Sequence, residues 1–370
     1  LVMIGKREID NFSWGLIAVI FLLGIVSTST IYSALAGDPS GAGAGFALKQ
    51  AIWYCAGFVA MLFISLFNYR ILEKWGYAVF MACLLMLVAV LLFGKLVAGS
   101  RRWLDLGVFA LQPSEFAKIG AIIVLAKYYS ISMTVQGYNM RDLFAPVLLM
   151  LCPFVLILVQ PDLGTALLIG FISISITLFV KVEKKTLIIS VLCGIVVVIS
   201  AWFFLLKEYQ KQRIMTFLNP EHDPLGSGYH VIQSKIAIGS GMLFGKGYLK
   251  GTQSHLSFLP EQHTDFIFSV FTEEWGFVGA VTLLVLYMIL IAIGLNIANN
   301  SRDHFGTVLC IGVLSMIFWQ VFINVGMIMG LLPVVGVPLP LISYGGSSVL
   351  TTLIGCGIIL NVGMRRFSNS

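Results

Sequence analysis

The chain has 370 residues, 58% of them hydrophobic and 11% charged. That balance excludes a soluble enzyme folded around one aqueous core; the apolar surface must face lipid. The net charge of +6 is then a signal of topology rather than of nucleic-acid binding, and the six cysteines, none in a Cys-x-x-Cys pair, read as packing residues rather than disulfides or metal ligands.

Apolar runs long enough to cross roughly 30 Å of hydrocarbon recur along the chain. The first span, Trp14–Ala36, follows Lys6, Arg7, Glu8 and Asp10. It lacks a small-residue cleavage site and reads as a retained span, with any extension ahead of it absent or short. Ala47–Phe67 and Trp75–Val97 are the second and third spans. Next comes GSRRWLDLGVFALQPSEFAK, which sets Arg101 and Arg102 beside Trp103, with Asp105 close behind. Paired arginines can simply snorkel to anionic head groups, but this company also suits a site. Trp103 fits either a sugar platform or an interfacial anchor. Pro113 and Ser114 open the fourth span, Glu115–Tyr129, with Ser114 the expected N-cap. Glu115 and Lys118 then share one helix face. They can pair with each other, and ionisable groups at membrane depth usually face a cavity.

The fifth and sixth spans, Leu143–Val159 and Leu163–Val180, are joined by the tight turn Gln160-Pro161-Asp162. Asp162 reads first as the cap of the sixth helix, and its depth keeps it among the site candidates. Thr186–Leu206 is the seventh span. A polar insertion, Lys207–Thr264, follows it. The insertion begins with a helical extension carrying Arg213; turns are expected over Asn219–Gly226, and Tyr229–Ile238 has helical spacing with Lys235 on it. Gly239, Gly241, Gly245, Gly247 and Gly251 cluster around Lys246. This is not a P-loop, which needs four residues between its glycines and Ser or Thr after the Lys. Close backbone packing, or a cradle for phosphate oxygens, fits better.

His263, Thr264 and Asp265 stand where that insertion enters the eighth span, Phe266–Leu295, which carries Glu273 and Glu274. A carboxylate at that point meets both water and the membrane surface; capping the helix is its plainer role. Gly306–Met329 and Leu341–Met364 complete a set of ten spans. Between them, LLPVVGVPLPLISYGG holds three prolines in apolar surroundings. That is the mark of a broken, re-entrant backbone lining a cavity, where Ser343 and Tyr344 present hydroxyls.

The expected fold is therefore an all-α polytopic membrane protein, a single domain over residues 1–370, with about ten helices and a large extracytoplasmic loop between the seventh and eighth. Orientation follows from basic residues in short loops. One side holds Lys6, Arg7, Arg70, Lys74, Lys127, Arg141, Lys181, Lys184, Lys185, Arg302, Arg365 and Arg366; the other holds Lys95, Arg101 and Arg102, with Lys49 at a helix edge. Both termini are then cytoplasmic.

RRWLDLG with QPSEFAK, then QPDLGT, PEQHTDFIF and PLPLISYGG, in that order, resemble the SEDS family of bacterial cell-wall proteins over nearly the whole chain. GSGYHVIQSKIAIGSG and GTQSHLSFLPEQHTDFIF look most like its elongation branch; HTDFIF and the proline-rich loop are shared with the division and sporulation branches. The resemblance implies a peptidoglycan glycosyltransferase of the cytoplasmic membrane. Its substrate would be lipid II, a disaccharide-peptide on undecaprenyl pyrophosphate. Its partners would be a class B penicillin-binding protein with a single membrane helix and other elongation-complex membrane proteins, with no nucleic acid. It implies Asp265 as the catalytic residue. It implies no tightly bound cofactor and leaves room for a divalent cation, Mg or Mn.

Inverting transfer from a lipid pyrophosphate needs a base on the acceptor hydroxyl and positive charge on the leaving group. Asp265 is the expected base. Arg101, Arg102, Lys118, Arg213 and Lys235 are the candidates for the pyrophosphates. Glu115 and Asp162 would orient Lys118 or a hydroxyl, and His263, Thr264 and Ser343 would line the substrate site beside Trp103. A flippase for the same lipid, or a scaffold that recruits a transpeptidase, are the competing readings. A flippase should carry charge through the full depth of its spans, whereas Arg101, Glu115, Lys118, Asp162, Arg213 and Asp265 map to one side, which favours chemistry.

Overall fold

The structure, a computed structural model, describes residues 11–37, 41–97, 100–105, 107, 110–132, 137–219, 227–252 and 262–366. Lys6 and Arg7, most of the turns expected over Asn219–Gly226, and the segment Gln253 to Glu261 with His255 lie outside the described residues.

In chain order the elements are helices α1 (Trp14–Ala34), α2 (Ala42–Leu66) and α3 (Arg70–Phe93), then strands β1 (Lys95–Val97), β2 (Ser100–Asp105) and β3 (Ala110–Leu111). Helices α4 (Pro113–Ile131), α5 (Met140–Val159), α6 (Leu163–Phe179) and α7 (Lys184–Ser200, extended by a π-turn over Ala201–Leu205) follow. Helices α8 (Glu208–Leu218) and α9 (Ser227–Ser240) form the insertion, and α10 (Ile267–Asn299), α11 (His304–Ile328) and α12 (Gly346–Met364) end the chain. Among the described residues eight helices are long and apolar enough to cross a membrane. α6 is shorter, at 17 residues, and α4 carries Glu115, Lys118 and Lys127. With these two the bundle has the ten membrane helices expected, and the chain is a multi-pass membrane protein.

Lipid is as apolar as a protein interior, so small residues rather than an apolar stripe decide which faces meet. α4, α11 and α12 are buried along nearly their whole length, while α1, α2, α3 and α5 turn rows of Leu, Val and Phe outward. At the centre, a Cβ on Gly312 of α11 would stand 2.5 Å from Ile122 Cγ2 of α4, and one on Gly357 of α12 would stand 2.8 Å from the Met61 carbonyl of α2. Side chains there would push the helices apart.

Two departures from regular helix shape the site. α10 is broken at Gly276, whose φ of 64° and ψ of −162° belong to glycine alone. The glycine-rich segment after α9 fills the break. Lys246 and Gly247 donate their N–H groups to the carbonyls of Glu273 and Glu274, both at 3.0 Å, and Phe277 and Val278 donate to Met242 and Leu243 at 2.9 and 3.0 Å. The glycines permit that approach: a Cβ on Gly241 would stand 2.2 Å from the Thr272 carbonyl oxygen, and one on Gly245 would stand 2.0 Å from that of Glu274. The cluster is thus a backbone dock. Glu273 completes it, accepting from Lys246 Nζ at 2.6 Å and from Thr252 N at 2.9 Å. Glu274 accepts from the Ser33 hydroxyl and, at 3.2 Å, from Leu249 N.

The second departure is the irregular segment between α11 and α12, as the three prolines predict. Its carbonyls are satisfied one by one, as backbone away from water requires. The Leu339 carbonyl accepts from Ile342 N and Ser343 N. The Pro340 carbonyl accepts from the Tyr287 hydroxyl and that of Leu341 from the Tyr54 hydroxyl. The Ile342 carbonyl accepts from Ser27 Oγ at 2.8 Å and that of Ser343 from Gln50 Nε2 at 3.1 Å. Helices α1, α2 and α10 each contribute to this frame.

One local expectation is corrected. The N-cap of α4 is Gln112, not Ser114, because Pro113 takes the first helical position and moves the cap one residue back. The three-stranded antiparallel sheet of β1, β2 and β3 is an addition to the all-α plan.

Candidate active site

Asp265 lies half-buried in the turn that leads into α10. The N-cap position of that helix falls on Phe266, not on Thr264 or Asp265. Three consecutive carbonyls fix the turn, two to the re-entrant segment and one to α11. The His263 carbonyl accepts from Tyr344 N at 2.9 Å, that of Thr264 from Ser343 Oγ at 2.6 Å, and that of Asp265 from Asn324 Nδ2 at 2.9 Å. Asn324 also donates to the Val337 carbonyl at 2.8 Å, so one buried amide holds both backbones. Ser343 accepts from Leu339 N at 2.8 Å while donating to Thr264, so its hydroxyl positions backbone. The His263 ring sits edge-on to Phe46, 5.2 Å between centroids.

The Asp265 carboxylate faces Gly336. A Cβ at that glycine, where φ is +70°, would stand 3.3 Å from Oδ2. The next residue back, Val335, packs against α6: its carbonyl oxygen would stand 2.5 Å from a Cβ on Gly164. The segment Val335–Val337 therefore lies between Asp265 and the first turn of α6. Asp162 caps that turn, accepting from Thr165 N at 3.1 Å and Thr165 Oγ1 at 2.9 Å, and is only 4% exposed. Gln112 reaches Asp162 Oδ2 with its side chain at 3.5 Å, and its N–H donates to Ser347 Oγ of α12 at 3.1 Å. The starts of α4, α6, α10 and α12 thus gather at one end of the bundle, which aims several positive helix ends at a common region.

The other expected site residues divide into three groups. Glu115 and Lys118 are paired inside the bundle; Lys118 Nζ donates to both carboxylate oxygens at 2.9 Å and is 0% exposed. Arg102 is a brace: its guanidinium donates to the carbonyls of Gln160, at 3.2 Å, and of Pro161, tying β2 to the turn before α6. Trp103 pairs with Lys95 across β1 and β2. Arg101 is exposed on the same strand and reaches the Leu91 carbonyl at 3.4 Å. Asp105, on the exposed side of β2, is held below the usual carboxylate range by the Gly107 N–H and then by Lys95. Finally, Arg213 of α8 and Lys235 of α9 line one cleft with Gly330, Leu332, Pro333 and Val334, the first part of the segment that carries Gly336.

Sequence reading passed over Asn324, Gly336 and Gln112. The signal for Asn324 was available: an uncharged polar residue inside a long apolar run must find a partner there.

The family model for the cell cycle proteins FtsW, RodA and SpoVE matches residues 10–367. The peptidoglycan glycosyltransferase MrdB of Escherichia coli (strain K12) is 42% identical over 346 residues, with 93% of each chain covered. The peptidoglycan glycosyltransferase RodA of Treponema pallidum (strain Nichols) is 34% identical, covering 97% of this chain and 99% of its own. Among solved structures, a chain from a peptidoglycan synthase complex that coordinates polymerization and crosslinking matches with a TM-score of 0.82 at 34% identity, covering 97% and 99% of the two chains. The rod shape determining protein RodA of Thermus thermophilus matches with a TM-score of 0.72 at 30% identity, covering 97% and 98%.

Proposed function

We infer the activity from one premise: the chain belongs to the FtsW, RodA and SpoVE family of cell cycle proteins, the SEDS family, and is a peptidoglycan glycosyltransferase of its RodA-like branch. It polymerises lipid II at the outer face of the bacterial cytoplasmic membrane, during elongation and shape maintenance, with both termini in the cytoplasm. The observation that carries the mechanism is the fixing of the Asp265 turn by Tyr344 N, Ser343 and Asn324, with its carboxylate turned to the side-chain-free Gly336.

Asp265 acts as the general base. It takes the proton from the 4-hydroxyl of the acceptor sugar as that oxygen attacks the anomeric carbon of the donor chain. The glycosidic bond to the lipid pyrophosphate breaks in the same displacement, and the configuration inverts. A backbone held at three successive carbonyls keeps the base in place without reorganisation. Arg213 and Lys235, sharing one cleft next to that backbone, hold the pyrophosphate, and the gathered helix starts add to the positive field. Among the described residues no three His, Cys, Asp or Glu side chains come together as a metal cage. A divalent cation, Mg or Mn, would serve the reaction by neutralising the substrate pyrophosphate, and EDTA is then expected to slow turnover without lowering the midpoint of unfolding.

The partner is a class B penicillin-binding protein with a single membrane helix, which cross-links the new strand. The naming of a structural relative for coordinated polymerization and crosslinking supports this. The test is purified protein with lipid II and a divalent cation, with and without that partner. Glycan chains are expected. Transbilayer movement of lipid II in vesicles with no glycan under any of these conditions would instead establish the flippase reading.

A further inference from the structure

Below the site, α4, α11 and α12 meet at one small residue. A Cβ on Gly355 would stand 2.8 Å from Val313 Cγ1 and 3.6 Å from both Ile119 Cδ1 and Met316 Cε. One helical turn toward the site brings Thr351 of α12, Glu115 of α4 and Gln320 of α11 to a common level, since residues four apart stack on a helix face. Gln320 and Thr351 are 0% exposed. Among the described residues nothing meets either polar atom of the Gln320 amide, nor the hydroxyls of Thr351 and Ser114. Lys118 spends two hydrogen bonds on Glu115 and, as an ammonium, has a third N–H to place. One turn further up α11 stands Asn324, whose Oδ1 is likewise without a partner while its Nδ2 holds Asp265.

Buried polar atoms that meet no protein group are rare, and ordered water is their usual partner. Here five such atoms and a spare ammonium proton occur on three helices over two turns. A polar layer of that composition can give each water the two to four contacts it needs.

We propose that Gln320, Thr351 and Ser114 line a chamber of ordered water that runs from the Glu115–Lys118 pair to Asn324, and that Gln320 is a positioning residue for the reaction. The water satisfies the third N–H of Lys118, which the two bonds to Glu115 leave over. At its upper end it sets the orientation of the Asn324 amide, which fixes the backbone of Asp265. Gln320 touches no substrate in this scheme; it acts through water on Asn324.

Gln320→Leu and Thr351→Val test this in the detergent-purified protein. An amide with no protein partner can be removed at little cost, so the midpoint of thermal unfolding is expected to hold or rise; a clear fall overturns the proposal, because it means that protein groups satisfy the amide. The activity readout rests on the glycosyltransferase reading. For Gln320→Leu, kcat for glycan synthesis is expected to fall about tenfold with KM unchanged, and the acid limb of the pH–rate profile to move to higher pH as Asp265 loses nearby hydration. Water-edited solid-state NMR on ¹⁵N-glutamine-labelled protein reads the chamber directly. The Gln320 side-chain amide, identified by its loss in Gln320→Leu, is expected to take up magnetisation from water as fast as surface glutamines; slow uptake overturns the proposal. Unchanged rate and pH profile beside an active wild type overturn the positioning role alone. If the wild type makes no glycan with or without its partner, the glycosyltransferase reading fails and the NMR transfer still decides the chamber.

Discussion

Asn324 shows how much one buried amide can organise. Its two N–H bonds join the half-buried Asp265 turn to the re-entrant segment, where the Val337 carbonyl is buried. Asn324→Leu removes both, and we expect a loss of about 2–3 kcal/mol in unfolding free energy, at about 1–1.5 kcal/mol for each bond. We also expect kcat to fall with KM preserved, since substrate contacts remain. Normal turnover in Asn324→Leu would show that the turn needs no such clamp. The Glu115–Lys118 pair carries a different expectation. Glu115→Ala leaves an ammonium buried and uncompensated, a cost of about 3–5 kcal/mol, whereas Glu115→Leu with Lys118→Met removes both charges and recovers most of the stability. Thermal unfolding of the two variants separates a structural pair from a catalytic one: a stable double variant that still polymerises assigns the pair to architecture. At this scale the sequence was legible where a charge interrupts an apolar run, as at Asp265, Glu115 and Asp162. At Asn324 an amide in an apolar run signals a buried partner without saying which one, and at Gly336 nothing marks the contact, because the partners lie in other segments of the chain.

Among the elements, the decisive one is the break in α10. Hydropathy reads Phe266 to Leu295 as one span because lipid does not distinguish a straight helix from a broken one. The break depends on Gly276, and its open hydrogen bonds are met by a segment some thirty residues earlier, a pairing that periodicity cannot reveal. The glycines of that segment were recognised as a close-packing device, and the backbone they approach was not. Gly276→Ala is expected to destabilise the fold by about 1–3 kcal/mol or more, because the glycine-only conformation is lost and its Cβ would stand 2.3 Å from Gly245 N. Glu273→Gln removes the charge that holds Lys246. It should expose residues 246–252 to limited proteolysis while α10 stays folded; an unchanged digestion pattern would mean that backbone bonds alone hold the dock. The small sheet went unread for a related reason: its strands are two to six residues long and follow directly on the end of a span.

For the whole molecule, the bilayer made the plan readable. Ten apolar runs and the proline-rich segment fall close to where the sequence puts them, because each must satisfy its backbone without water; the third expected span ends early, its last residues forming β1, and the tenth begins five residues late, at Gly346. What composition does not reveal is convergence. Asp265, Asp162 and Gln112 belong to three separate segments and lie at one end of the bundle, with Val335–Val337 between the first two, only because the starts of α4, α6, α10 and α12 share that end. The charge bias predicts that this end faces outward. A fluorescent protein fused after Arg366 should fluoresce in the cytoplasm; export of the fusion would invert the topology and place the site on the wrong side for its substrate.

The central claim is that Asp265 supplies the base for glycan polymerisation. The most direct measurement is lipid II binding and single-turnover polymerisation, side by side, for the wild type and Asp265→Asn. The amide keeps the shape of the carboxylate and cannot accept the proton. We expect binding within about twofold of the wild type and turnover reduced by at least about a thousandfold. Binding and turnover both close to the wild type would contradict the assignment of the base, and the search for it would move to another carboxylate at the gathered helix starts.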